Sequence, residues 1–311
     1  MNMLLDILLI IIGVALVLKG ADFLTEGASA LARRMNVPEI IIGLTIVAAG
    51  TSAPELFVSL VSALKGTPDL AVGNVVGSNT MNAMLIVGCA AMVAPMTISR
   101  STVKKDIPFS VGASLLLILL TFDSFMSRID GIILLAGFAV FMAYTLMQAK
   151  SGKAEESAEG KQLKPWLSAL YVVLGLAMLV AGSNLFVDSA SSVAASLGVS
   201  EGVIGLTVVA GGTSLPELAT SVVAARKGQS AIAIGNVIGS NVFNILLILG
   251  LTATISPLQI EGITTVDMAV MLLSVALVWL FSFTKYTVER WEGALLVFGY
   301  LAYLGWLISN L

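Results

Sequence analysis

The stretch GLTIVAAGTSAPEL at Gly43–Leu56 returns as GLTVVAGGTSLPEL at Gly205–Leu218, and each copy sets a glutamate inside an apolar run. A carboxylate near the centre of a bilayer costs about 2.5–3.5 kcal/mol even on the lenient insertion scale. Glu55 and Glu217 stand at matching points of a duplicated unit, so one shared purpose is expected of them. They read as the two halves of a buried cation site.

The surroundings make this a membrane question. Of the 311 residues, 58% are hydrophobic and only 11% are charged, which describes a polytopic membrane protein rather than a soluble domain. A helix needs about 20 largely apolar residues to cross the hydrocarbon layer. Ten such stretches are expected, at 3–31, 38–64, 69–95, 104–122, 127–149, 165–195, 200–225, 231–256, 265–284 and 288–310. The first lacks a basic leader and a small-residue cleavage site, and is expected to be a retained helix.

The duplication reaches well beyond one motif. Gly13 aligns with Gly175, Gly20 with Gly182, Pro95 with Pro257 and Gly131 with Gly293, all without a gap. Between Gly43–Gly88 and Gly205–Gly250, about 27 of 46 positions are identical. Residues 1–149 therefore map onto 163–311 as two repeats, and Lys150–Gln162, polar and charge-mixed, is expected to be a solvated cytoplasmic linker.

Five spans per repeat is an odd number, so the second repeat must enter the membrane from the opposite side. The basic residues agree. Arg33, Arg34, Lys104, Lys105, the linker lysines, Arg226 and Lys227 fall on one side, against only Lys65 and Arg128 on the other. By the positive-inside pattern both termini are expected outside. The fold class expected is all-α, ten transmembrane helices in two inverted five-helix repeats with broken helices at the midplane, an architecture that transporters use.

Several chemistries are excluded. No histidine is present, which removes HExxH zinc sites and imidazole bases, and the single Cys89 excludes a disulfide framework. No enzyme activity, cofactor, nucleic-acid partner or obligatory protein partner is expected.

In Gly50-Thr51-Ser52-Ala53-Pro54-Glu55, Pro54 cannot donate to the carbonyl of Gly50, and Gly50 is expected to let the backbone leave helical geometry there. Freed carbonyls at a half-helix C-terminus attract cations. Thr51, Glu55 and Ser59 recur every fourth residue and are expected to share a face. Gly212-Thr213-Ser214-Leu215-Pro216-Glu217, with Ser221, repeats the pattern. A packed proline kink explains the glycine and proline but leaves both carboxylates unexplained. The next helix carries GNVVGSNTMN at Gly73–Asn82 and GNVIGSNVFN at Gly235–Asn244. Its GxxxG glycines read as close packing. Ser78 with Asn82, and Ser240 with Asn244, each face one way and offer oxygens to a coordination shell. Asn74, Asn79, Asn236 and Asn241 fit interhelical hydrogen bonding equally well. Carboxylates, hydroxyls and amide oxygens suit Ca²⁺, and Na⁺ accepts the same ligands. On the first helix, Lys19 and Asp22 are expected to form a local ion pair.

At these residues the chain resembles the cation/calcium exchanger superfamily, specifically prokaryotic sodium/calcium exchanger-like membrane antiporters. The resemblance covers essentially the whole chain and rests on GTS-x-PE and GN-V-x-GSN, both present twice, in order. It implies Glu55 and Glu217 as central metal ligands. It further implies Thr51, Ser52, Thr213, Ser214, Ser78, Asn82, Ser240 and Asn244 as oxygen donors, with backbone oxygens near Ala48 and Ala210 at Na⁺ sites. The first and sixth helices are implied as a sliding pair. Some members carry an aspartate where this chain has Asn244, so ion stoichiometry and K⁺ dependence are not carried over. The function implied is exchange of Ca²⁺ for Na⁺ in a prokaryotic cytoplasmic (inner) membrane, normally Ca²⁺ efflux driven by Na⁺ influx. The alternatives are a Ca²⁺/H⁺ antiporter and a K⁺-dependent exchanger. A passive channel is disfavoured by the charge-compensating pair, and a hydrolase by the lack of a nucleophile–base set.

Overall fold

A computed structural model describes residues 3–151, 163–198, 208 and 210–309. The helices are α1 (Met3–Met35), α2 (Glu39–Thr51), α3 (Ala53–Leu64), α4 (Pro68–Val93), α5 (Ile107–Leu120), α6 (Arg128–Ser151), α7 (Pro165–Ser196), α8 (Ala210–Thr213), α9 (Leu215–Arg226), α10 (Ser230–Ile255), α11 (Thr265–Ser282) and α12 (Arg290–Ser309). Among the described residues seven of these, α1, α4, α6, α7, α10, α11 and α12, are long and apolar enough to cross a membrane. The pair α2 and α3, bent by 46° at Ser52, is long and apolar enough only when the two are taken together, and counted as one broken span it brings the number to eight. The stretch expected at 104–122 is α5 with a π turn, Thr102–Asp106, ahead of it. The stretch expected at 200–225 lies partly outside the described residues, and so does the linker expected at 150–162, of which only 150 and 151, the end of α6, are described.

The burial pattern is that of a membrane protein. α10 is almost wholly buried, whereas α12 is mostly exposed. Leu4, Phe122 and Phe298 turn large apolar side chains outward, while Glu55, Glu217, Asn82 and Asn244 are buried. Apolar groups facing lipid lose nothing, whereas polar groups must find partners within the bundle. Thus α4 and α10 form the centre and the remaining helices wrap it.

α1 and α7, counterparts in the repeat, pack along their length through glycines. A Cβ at Gly13 would lie 2.8 Å from the carbonyl oxygen of Gly182, and one at Gly20 would lie 2.8 Å from that of Gly175. Only glycine allows backbones this close, and the order of the contacts makes the helices antiparallel.

Four two-residue strands, absent from the expected all-α fold, tie loops of one repeat to loops of the other. β1 (Met96–Thr97) pairs with β4 (Thr287–Val288), and β2 (Phe125–Met126) pairs with β3 (Leu258–Gln259), both antiparallel. In the repeat β1 corresponds to β3 and β2 to β4, so each ladder joins non-equivalent loops.

Candidate cation-binding site

The two bends make the site. The chain leaves α2 at Ser52, with φ −83° and ψ 6°, and restarts as α3 with Pro54 in its first turn. Ser214, with φ −89° and ψ 7°, does the same ahead of α9 and Pro216. Proline is tolerated there because the first N–H groups of a helix have no partner to lose. Each break therefore sets a glutamate in the first turn of a new helix, where the positive end of the dipole favours a carboxylate.

This corrects the expectation for Gly50. The backbone departs at Ser52, and Gly50 stays helical. A Cβ there would run into the Leu176 side chain on α7, and one at Gly212 into that of Val187.

The glutamates are 1% exposed and each is held from the opposite repeat. The Ser52 hydroxyl donates to Glu217 Oε1 at 3.1 Å, and Ser214 donates to Glu55 Oε1 at 3.2 Å. Ser78 Oγ lies 3.2 Å from Ser214 Oγ, and the Ser240 hydroxyl reaches Glu217 Oε1 at 3.5 Å. The Thr51 hydroxyl donates to Asn236 Oδ1 at 3.0 Å and also neighbours Glu217, while Thr213 neighbours Glu55. The two carboxylates are electrostatic neighbours of each other.

Of the candidate ligand residues, four buried oxygens have no hydrogen-bond partner among the described residues: Glu55 Oε2, Glu217 Oε2, Asn82 Oδ1 and Asn244 Oδ1. They form two pairs related by the repeat. Unpartnered buried acceptors are costly, and a carboxylate oxygen most of all. Carboxylate and amide oxygens are the donor types that a hard cation takes.

The other sequence candidates divide. The carbonyl of Ala48 accepts the Ser52 N–H at 2.9 Å, and Ala210 opens the short helix α8. Ser59 and Ser221 lie one turn beyond the glutamates on α3 and α9, and they face the next helix, where Asn74 donates to Ser59 Oγ at 2.9 Å and Asn236 to Ser221 Oγ at 3.0 Å. The same amides donate to the main-chain oxygens of Glu55 and Glu217, at 3.2 and 3.3 Å, and so fix the acidic turns. Sequence had placed Asn74 and Asn236 only as ligands or glue; both serve as glue.

Close packing by GxxxG holds for Gly235, beside Gly43, and for Gly239, whose Cβ would lie 2.9 Å from Leu44 O. By the repeat, the partners of Gly73 and Gly77 fall outside the described residues. Away from the site, Asp22 pairs with Lys227 at 2.9 Å rather than with Lys19, whose ammonium sits over the Phe23 ring at 5.1 Å.

Comparison with known proteins bears on all of this. The sodium/calcium exchanger protein family matches residues 5–147 and, a second time, residues 167–309. The chain belongs to the sodium/calcium exchanger family. That family comprises ion antiporters, not enzymes, and the chain is a membrane protein of this kind. The sodium/calcium exchanger MaX1 of Methanosarcina acetivorans is 32% identical, covering 96% of this chain and 97% of its own. The inner membrane protein YrbG of Escherichia coli is 39% identical over 87% of this chain and 86% of its own. A solved structure of the sodium-calcium exchanger NCX_Mj superposes with a TM-score of 0.86 at 32% identity, covering 98% of this chain and 99% of that one.

Proposed function

We propose that this family member exchanges Ca²⁺ for Na⁺ by alternating access, with Glu55 and Glu217 as the central ligands. The observation that carries the reading is the pair of buried carboxylates, one from each repeat, each with one oxygen lacking a donor among the described residues. Two ionised glutamates balance one Ca²⁺, which makes the loaded site tolerable in a low-dielectric interior. Unloaded, they repel, so moving the empty site across is disfavoured and exchange is favoured over uniport. Asn82, Asn244, Ser52, Ser214, Ser78 and Ser240 complete the oxygen shell, and Thr51, Thr213 and the carbonyls near Ala48 and Ala210 serve Na⁺. MaX1 and NCX_Mj are named as exchangers of sodium and calcium, which supports the choice of ions.

The architecture that goes with this reading is ten transmembrane helices in two inverted repeats, 1–149 and 163–311, joined by a cytoplasmic linker. Antiparallel α1 and α7 support the inversion, because they are the same helix of each repeat. The loop ladders support it too. β1 and β2 lie at opposite ends of α5, and each pairs with the non-equivalent loop of the second repeat. Both termini lie outside, in a cytoplasmic membrane, and transport runs toward Ca²⁺ efflux as Na⁺ flows in.

The test is Ca²⁺ flux in proteoliposomes under imposed Na⁺, K⁺ or pH gradients. Flux that follows the Na⁺ gradient supports the proposal. Flux indifferent to Na⁺ but driven by pH would replace it with Ca²⁺/H⁺ antiport, and a requirement for K⁺ with K⁺-dependent exchange.

A further inference from the structure

Four asparagines cross the centre of the molecule, and all four are at most 2% exposed. Asn79 Nδ2 donates to the main-chain oxygen of Asn241 at 3.2 Å, and Asn241 Nδ2 returns to the main-chain oxygen of Asn79 at 3.5 Å. Asn82 Nδ2 donates to Asn241 Oδ1 at 3.1 Å, and Asn244 Nδ2 donates to Asn79 Oδ1 at 3.0 Å. Every amide of one repeat is thus held by an amide or carbonyl of the other.

The ladder has a direction. A main-chain carbonyl only accepts, so the groups of Asn79 and Asn241 facing it must be their NH₂ ends. That turns their oxygens to Asn244 and Asn82, whose facing ends must then be NH₂ as well. The oxygens of Asn82 and Asn244 are consequently the ends left over, and both lack a donor among the described residues. Asn82 shares a helix face with Ser78, and Asn244 with Ser240, the serines that reach the carboxylate cluster. Both asparagines lie in π turns, Asn82–Ile86 and Phe243–Leu249, a local widening common at functional positions.

We propose that Asn79 and Asn241 are positioning residues that lock the amides of Asn244 and Asn82 oxygen-first toward the cation. An amide has one end that ligates a hard cation and one that repels it, and the two ends have the same shape. Without a lock, a flipped amide presents N–H groups to the ion. The lock is crossed, Asn79 acting on Asn244 and Asn241 on Asn82, so relative movement of the repeats that breaks the ladder also releases ligand orientation. This inference rests on the proposed ligand role of Asn82 and Asn244.

A double-mutant cycle on purified protein tests it, reading half-saturating Ca²⁺ by radioisotope binding and in proteoliposome flux. A carboxylate has two equivalent oxygens and needs no orienting, so Asn244→Asp makes the lock at Asn79 redundant. Asn79→Ala is expected to raise half-saturating Ca²⁺ about tenfold in the native background and less than about twofold in Asn244→Asp. Asn241→Ala with Asn82→Asp is expected to behave alike, while the crossed pair Asn79→Ala with Asn82→Asp is expected to be additive. Equal losses in both backgrounds mean a merely structural role for Asn79 and overturn the proposal. If Asn79→Ala fails to fold by size exclusion, the Asn241 and Asn82 cycle decides in the same way. If Asn244→Ala leaves Ca²⁺ binding unchanged, the ligand reading itself fails, an outcome distinct from additivity.

Discussion

Ser52 and Glu217 belong to different repeats, yet the Ser52 hydroxyl donates to Glu217 Oε1 at 3.1 Å, and Ser214 mirrors the contact on Glu55 at 3.2 Å. The bend of each half therefore steers the acidic group of the other. A displacement of one repeat against its twin alters both carboxylates together, which is the coupling an exchange site requires.

Removing either charge should end Ca²⁺ transport. Glu55→Gln and Glu217→Gln each keep the shape and most hydrogen bonds but leave one negative charge for a divalent ion. Each is expected to lower Ca²⁺ flux by about 100-fold or more, equivalent to about 2.7 kcal/mol, with unchanged elution on size exclusion. Near-native flux in either variant would remove that glutamate from the site.

Ser52→Ala and Ser214→Ala test the crossed contacts. A hydrogen bond to a charged group contributes about 1.5–3 kcal/mol, so half-saturating Ca²⁺ should rise by about tenfold or more in each. Because the arrangement is nearly symmetric, the two effects should match within about threefold. A large effect from one serine and none from the other would argue that only one carboxylate is steered.

The α1 and α7 seam should not tolerate added volume. Gly20→Ala would place a Cβ 2.8 Å from the Gly175 carbonyl oxygen, and overpacking of this sort costs about 1–3 kcal/mol. The thermal midpoint in detergent is expected to fall. Gly112→Ala in α5, with no described atom within 4 Å of the new group, is the control and should hold or gain stability.

Lys227 bridges from the end of α9 to Asp22 on α1 at 2.9 Å, and also reaches the Thr25 hydroxyl at 3.0 Å. Both charged side chains are about one-third or more exposed, so the pair contributes at most about 1 kcal/mol and is screened by salt. Lys227→Met is expected to change the transport rate by less than about fivefold at low ionic strength, and the difference should fade in high salt. A salt-independent effect would assign Lys227 a role other than this tether.

Much of the bundle was legible before any coordinates, because a bilayer demands long apolar runs and penalises every exception. That rule alone picked out Glu55 and Glu217, and the repeat paired them. The turn chemistry was less legible. Proline announced a break, and the backbone leaves helical geometry at Ser52 while Gly50, the residue expected to break, stays helical. Likewise, Asp22 lay three residues from Lys19 in sequence, and only the approach of α9 supplied Lys227 as its partner.

From sequence alone came the duplication, the apolar spans, the two acidic positions and the family resemblance, since each is written in local composition and spacing. Tertiary structure decided which serine serves which glutamate, which end of each amide is left free, and where the helices bend. Those outcomes arise from contacts between residues about 160 positions apart, made across two halves facing each other, and no local pattern encodes the geometry of that meeting.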